Sequence, residues 1–309
     1  MNSITVTAPA TVANLACGYD LVGLAVESPF DTISITKKES PGIRILSVDC
    51  KDGEIPLDPS LNTAGIALKS FMKDNDISSG VDISIKKGVP LSGGMGSSAA
   101  SAVGSVFAAE VLFNTGSSTM DILSHALVAE KVVAGAGHAD NAGPCLLGGI
   151  ALVRSYEPLD LIRIPTNLDL FISLVHPYIK IKTKDARSVV PEKITVPTSV
   201  AQSGNLAGFI HGLHIADSDL ISRSMQDYIA EPFRSKLIPG YKDVKEEALG
   251  HGAIGCSISG SGPTVFALST SLDGANMVGA AMTDAFKKYG RLDSDLFISK
   301  INFKGPTIL

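Results

Sequence analysis

The sequence predicts an α+β protein of two domains. Length is the first reason: 309 residues exceed what one ordinary core needs. Patterning is the second. Period-two and β-branched runs alternate with helical patterns, and the texture changes near residue 165, dividing the chain into 1–165 and 166–309. Composition is the third, since 45% hydrophobic and 18% charged residues suffice for sizeable cores and exclude a disordered chain.

In the first region, strands are expected at 3–8, 32–37, 43–48 and 81–86, and a helix over about 60–74, "SLNTAGIALKSFMKD". The stretch "VPLSGGMGSSAAS" (89–101) opens a second helix to about 113. "NTGSSTM" breaks that helix, and Ser118 or Thr119 can cap a third through about 134. "AGAGHADNAGP" (134–144) reads as a loop too rich in glycine for a helix, and "GGIALVRS" (148–155) as an apolar strand. In the second region a strand at 170–176 precedes a polar loop (180–193), helices near 198–228 and 241–249, strands at 254–259 and 264–268, a helix at about 273–289 and a strand at 296–303. That β–α–β–β–α–β order is the split βαβ of a ferredoxin-like sandwich with inserted helices.

Net charge is −5, the pI is about 5.7 and there is no dense Lys/Arg run, which argues against a nucleic-acid partner. No apolar run approaches the roughly 20 residues that span a bilayer. "NLAC" (14–17) faintly resembles a lipid-attachment site, but residues 1–13 hold neither Lys nor Arg and no apolar core, so a cytoplasmic protein is expected. Cys17, Cys50, Cys145 and Cys256 are far apart without a CxxC pair, which predicts reduced thiols rather than disulfides or a zinc site. His211 and His214 share a helix face but have no third ligand nearby.

The glycine loop fits neither common phosphate motif. A Walker loop needs a lysine after its last glycine, and none follows here. Gly94, Gly96 and Ala99 match GxGxxG/A, but helix 97–113 leads to another helix instead of the strand a dinucleotide fold requires. The physics remains: glycines let backbone N–H groups approach an anion, the helix adds unpaired N–H groups and its positive dipole end, and Ser97 and Ser98 add hydroxyls for phosphate or magnesium. A tight turn of small residues is the plain alternative. Three other loops share this ambiguity. "APATVANLACGYDLVGLAV" (8–26), read as a loop after the first strand, carries Asn14 and Asp20, which are also ordinary turn formers. "SGSGPT" (259–264) lies between strands, as a hairpin turn or as a second backbone approaching a ligand through Gly260 and Gly262. "GHADNAGPCLLGG" (137–149) carries His138, Asp140 and Asn141 one loop after Glu130, a carboxylate suited to magnesium beside a hydroxyl-bearing phosphate loop. Arg187 and Arg234, in "TKDARSVVPEK" and "EPFRSKLIPGY", are surface residues or two-pronged carboxylate holders.

Together these stretches resemble the GHMP kinases. "PATVANLACGYDLVGLA", "PLSGGMGSSAAS" and "SGSGPT" are similar, in order, to the three motifs of that family, and "GHADNAGPCLLGG", "TKDARSVVPEK" and "RSKLIPGY" resemble the branch that phosphorylates homoserine. The resemblance implies an N-terminal domain like domain 2 of ribosomal protein S5, a C-terminal ferredoxin-like α/β sandwich, and the site between them. It implies ATP and Mg2+, L-homoserine as acceptor, and a homodimer. Pro90, Leu91, Ser92, Gly93, Gly94, Met95, Gly96, Ser97, Ser98, Ala99 and Ala100 would wrap the ATP phosphates, with Asn62 near the nucleoside. Ser98 and Glu130 would hold magnesium. Asn14, Asp20, His138, Asp140, Thr183, Arg187, Arg234 and Gly260 would grip homoserine, the two aspartates facing its ammonium and the two arginines its carboxylate. The family more often has Gly-Pro-Gly-Phe where "ACGY" (16–19) stands, and often an Arg where "SGG" (92–94) stands. Some relatives use an aspartate as base. Asn141 holds that position here and cannot take a proton, so it is expected to orient the hydroxyl while Asp140 and Glu130 complete the catalytic set. A mevalonate- or sugar-type kinase of the family, a non-catalytic binding protein on this scaffold and a dehydrogenase are the rivals. Charges of both signs suit a zwitterion, and Ser98, Glu130 and the intact glycine loop favour catalysis.

Overall fold

A computed structural model describes residues 2–135 and 137–309; Ala136, within the glycine-rich segment before His138, lies outside the described residues. The first region comprises β1 (Ser3–Ala13), β2 (Val22–Lys38), β3 (Ile43–Asp49), α1 (Thr63–Asp74), β4 (Gly80–Lys86), α2 (Ser97–Phe113), α3 (Thr119–Ala134), α4 (Ala139–Leu147), β5 (Ile150–Tyr156) and β6 (Leu159–Ile164). Its strands build one sheet in the order β1-β2-β4-β3, with β5 also paired to β2 and β6 to β5. Alternation in β1 buries Ile4, Val6 and Ala8 on one face. Against that face lies α2, a helix of small residues. Gly104 is needed there, because a Cβ would stand 2.5 Å from Ile33 Cδ1 and 2.8 Å from Ala8 Cβ. The closeness of this packing makes α2 the buried centre of the region, and its N-terminus is the point the site is built on.

The second region comprises β7 (Phe171–Pro177), α5 (Thr183–Ser188), α6 (Val196–Ile215), α7 (Ser218–Ser224), α8 (Glu231–Arg234), α9 (Tyr241–Gly250), β8 (Gly255–Ile258), β9 (Val265–Ser269), α10 (Leu272–Ala285) and β10 (Ser294–Lys300). The sheet order β10-β7-β9-β8, all antiparallel, is the split βαβ arrangement expected from the element order. A last strand, β11 (Thr307–Ile308), pairs with β1, so the chain's final residues return to the first sheet. No described helix is long and apolar enough to cross a membrane.

Four local expectations need correction. The segment 8–26 is mostly strand: β1 runs to Ala13 and β2 begins at Val22, leaving a loop of only 14–21. Small residues such as Ala10 and Ala13 carry little β-signal, yet burial between layers makes them strand. "ADNAGPCLL" is the helix α4, despite Gly143 and Pro144. Pro144 forfeits only the bond to the Asp140 carbonyl, and that oxygen packs on Gly23, where a Cβ would lie 1.9 Å away. The polar loop 180–193 contains α5, and strands β6 and β11 went unread because each is short and paired at a sheet edge. The four cysteines are free, as expected.

Candidate active site

Residues 87–96 join β4 to α2. Ser92, Gly94 and Gly96 have φ of 53°, 74° and 67°, an alternation of left-handed residues that turns successive N–H groups toward one side, the geometry of an anion nest. Three consecutive carbonyls are taken by other segments. Gly93 O accepts from Thr264 N (3.1 Å), Gly94 O from Ser259 Oγ (2.7 Å) and Met95 O from Thr11 N (3.0 Å). Gly96 caps α2 without a side-chain hydrogen bond, so the first turn keeps its donors for a ligand. Ser97 Oγ donates to Val89 O (3.0 Å) and closes the loop, while Met95, Ala99 and Ala100 are buried and pin it to the core. Leu91 N donates to Asp52 Oδ2 (3.1 Å).

The lysine absent from the loop lies beneath it. Lys87, its side chain 3% exposed, donates to the Asp31 carboxylate, to Ser97 O (2.8 Å) and to Ser101 Oγ (2.8 Å). Asp31 Oδ1 also accepts from Gly88 N (3.0 Å) and Val89 N (3.1 Å). A buried ion pair adds little net stability, but losing one partner strands the other charge. Here it fixes the entry to the loop without aiming a charge at the ligand.

Ser98 Oγ donates to Glu130, which reaches across from α3. Glu130 is buried, and desolvation pushes its carboxyl up, the serine hydrogen bond and the Lys87 charge acting the other way. A buried carboxylate beside a hydroxyl at the mouth of an anion nest fits a hard cation that takes few protein oxygens and shares the rest with phosphate and water. Among the described residues no cluster of three or more His, Cys, Asp or Glu side chains offers a dedicated metal cage, and His211 and His214 are exposed on α6.

The opposite end of the cleft is charged. His138 is the N-cap of helix α4, which places Asp140 in its first turn and Asn141 behind it. Asp140 Oδ1 and His138 Nε2 are buried without hydrogen-bond partners. Orphaned buried polar atoms cost about 1–3 kcal/mol each, so both are suited to take polar groups of a ligand. Burial, with the Asp20 charge adding to it, pushes the Asp140 carboxyl up to about 7. Burial lowers the His138 imidazole, as does the charge of Arg187. Asp20 and Arg187 pair with each other at 3.0 Å. Helix α5 sets Thr183 and Arg187 one turn apart on one face. Arg234, on α8 and buried, donates Nε to Ala186 O (3.0 Å) and Nη1 to Gly260 O (2.8 Å), with its guanidinium over the Tyr19 ring (5.2 Å).

The structure sets Asn14, Asp20, His138, Asp140, Arg187, Arg234 and Gly260 near one another, with unequal freedom, and places Thr183 one helical turn from Arg187. Asn14 is engaged at both ends, Oδ1 accepting from Asp20 N (3.1 Å) and Nδ2 donating to Gly260 O (3.0 Å). Gly260 N donates to Ala13 O (3.1 Å). These two residues staple the domains, and the staple sets the loop that carries Asp20. Asn62 likewise caps α1 through Ala64 N (3.0 Å) and donates to Pro56 O (2.9 Å). Sequence reasoning missed Thr11, Asp31, Lys87, Ser259 and Tyr156, whose hydroxyl donates to Asp20 O (2.9 Å). Only Thr11 and Ser259 lay inside motifs already singled out.

The fold and the cleft define the class. Models of the N-terminal and C-terminal domains of the GHMP kinases match residues 62–149 and 209–288, and the chain belongs to that family. It is 44% identical, over all of both chains, to the homoserine kinase of Chlorobium phaeobacteroides, and 40% identical to that of Methanococcus vannielii over 87% of this chain and 88% of the relative. A crystal structure of the homoserine kinase from Cytophaga hutchinsonii superposes with a TM-score of 0.96 at 44% identity, covering 100% of this chain and 98% of the other.

Proposed function

We propose that the protein transfers the γ-phosphoryl group of ATP to the side-chain hydroxyl of L-homoserine, giving O-phospho-L-homoserine and ADP. One observation carries this reading. The partnerless Asp140 and His138, with Asp20, Arg187 and Arg234 around them, form a cluster bearing charges of both signs. Beside it, Asn141 abuts Gly96 at the N-terminus of the phosphate helix. A zwitterion with a short hydroxyl arm fits such a place. Its ammonium would take the orphaned Asp140 oxygen and Asp20, and its carboxylate would take the Arg187 fork, replacing the Asp20–Arg187 pair. The full-length relatives support the same substrate.

Transfer then requires positioning and charge stabilisation. The nest N–H groups and the α2 dipole hold the phosphates. Ser98 and Glu130 would hold magnesium, which would supply positive charge beside the phosphates. Asn141 orients the attacking hydroxyl against the γ-phosphate; an amide cannot take its proton, which leaves to phosphate or water.

ADP release measured with magnesium-ATP and homoserine, mevalonate, galactose or shikimate tests the reading. Turnover with homoserine alone is expected. Turnover only with mevalonate or galactose would reassign the acceptor, and turnover with none would overturn the kinase reading. Asn141→Ala is expected to lower turnover with little change in homoserine affinity. If Asp140→Ala alters turnover alone, Asp140 is the base and the two roles are exchanged.

A further inference from the structure

Thr11 stands where the two ends of the cleft meet. It is fully buried on β1, beyond the register shift between Pro9 and Thr11 in the β1–β2 ladder. Such irregularities re-aim a side chain and release backbone groups from the ladder. Here the Thr11 N–H serves Met95 O in the glycine loop (3.0 Å), and Thr11 Oγ1 donates to Asn141 Oδ1 at 2.8 Å. The fit admits nothing else. A Cβ on Gly96 would lie 2.1 Å from Thr11 Oγ1 and 3.0 Å from Asn141 Oδ1.

We propose that Thr11 is a positioning residue for phosphoryl transfer: its hydroxyl holds the Asn141 carbonyl inward, so that the Asn141 NH2 faces the gap between phosphate and acceptor. The inference rests on the reading that Asn141 orients the hydroxyl, and it adds what sets that amide. A primary amide has two nearly isosteric ends, and the wrong one would present an oxygen to the phosphate oxygens. Thr11 Oγ1 satisfies the inward carbonyl, leaving a donor outward beside the helix terminus, where donors serve an anion. A valine at 11 keeps the shape and the N–H to Met95 but removes the hydroxyl. The amide is then free to turn.

Steady-state kinetics on Thr11→Val, Thr11→Ser, Asn141→Ala and the double variant test this. Thr11→Val is expected to lower kcat roughly 10- to 100-fold, the loss of one buried partner, with KM for ATP and for homoserine within about threefold; Thr11→Ser restores most of it. In the Asn141→Ala background Thr11→Val should cost less than about twofold, because coupled residues are not additive. An equal cost in both backgrounds overturns the proposal, since Thr11 would then act on the loop itself. So does a raised KM for ATP at unchanged kcat. Where Thr11→Val does not fold, Thr11→Ala replaces it in the same cycle. The reading of Asn141 fails separately, if Asn141→Ala alone leaves kcat unchanged.

Discussion

The two ends of the cleft solve opposite problems. The phosphate end is local: one short glycine-rich stretch and the first turn of α2 present backbone N–H groups, and the Gly93, Gly94 and Met95 carbonyls are hydrogen-bonded elsewhere. The acceptor end is assembled from segments at 14–20, 138–141, 183–187 and 234, and it works with side chains, two of whose polar atoms are left buried and unpaired. Backbone donors have one charge preference and no titration, so the nest itself is preorganised and its N–H groups do not respond to pH. Buried carboxylates and guanidinium groups distinguish ligands by charge pattern, at the expense of stability while the ligand is absent.

That contrast sets the expected order of effects. Asp140→Asn should be the most damaging. Truncating a buried charge that pairs with a ligand charge costs about 2–5 kcal/mol, so kcat/KM for homoserine is expected to fall roughly 100-fold or more. ATP binding by calorimetry should change less than about threefold. Gly94→Ala comes next and crosses the divide. Gly94 has φ of 74°, and its Cβ would stand 2.2 Å from Ser259 O and 2.7 Å from Gly262 N, in the loop that also holds Asn14 and Arg234. Strain of about 1–3 kcal/mol is expected, with ATP and homoserine affinities both falling. A loss confined to ATP would mean that the ends are mechanically independent.

The pH dependence should separate the ends again. The Asp140 carboxyl is raised to about 7 in the free protein, so it is protonated below that pH and only its ionised form takes an ammonium group. The log of kcat/KM for homoserine should therefore fall by about one per pH unit below 7. The sign for stability is opposite. The neutral form is favoured by folding, so this group's contribution to the ligand-free protein declines as pH rises from near 4 through 7. ATP binding should not share that profile. Ser259→Ala is the smallest change. It removes one hydrogen bond to Gly94 O, worth about 1 kcal/mol, read as a few-fold weaker ATP binding and a lower melting temperature.

Much of the phosphate end was legible, because glycine spacing and a following helix state a local conformation directly. Helix α4 was not. Gly143 and Pro144 disfavour helix in isolation, and only packing of small residues against β2, with the Asp140 carbonyl on Gly23, makes it the better state. The loop at 14–21 was likewise too generously drawn, since burial rather than propensity extends β1 and starts β2 early.

The sequence by itself determined the two-domain α+β class and pointed to a glycine-rich anion loop and to candidate side chains for the cleft, since these depend on local conformation and residue chemistry. Only the tertiary structure decided which of those side chains are free. It commits Asn14, Gly260 and Asn62 to bracing, leaves Asp140 and His138 unpaired, hides Lys87 under the loop and sets Thr11 against Asn141. The reason is physical. A hydrogen bond between residues 130 positions apart has no counterpart in spacing or periodicity and exists only once α4 has packed against the first sheet.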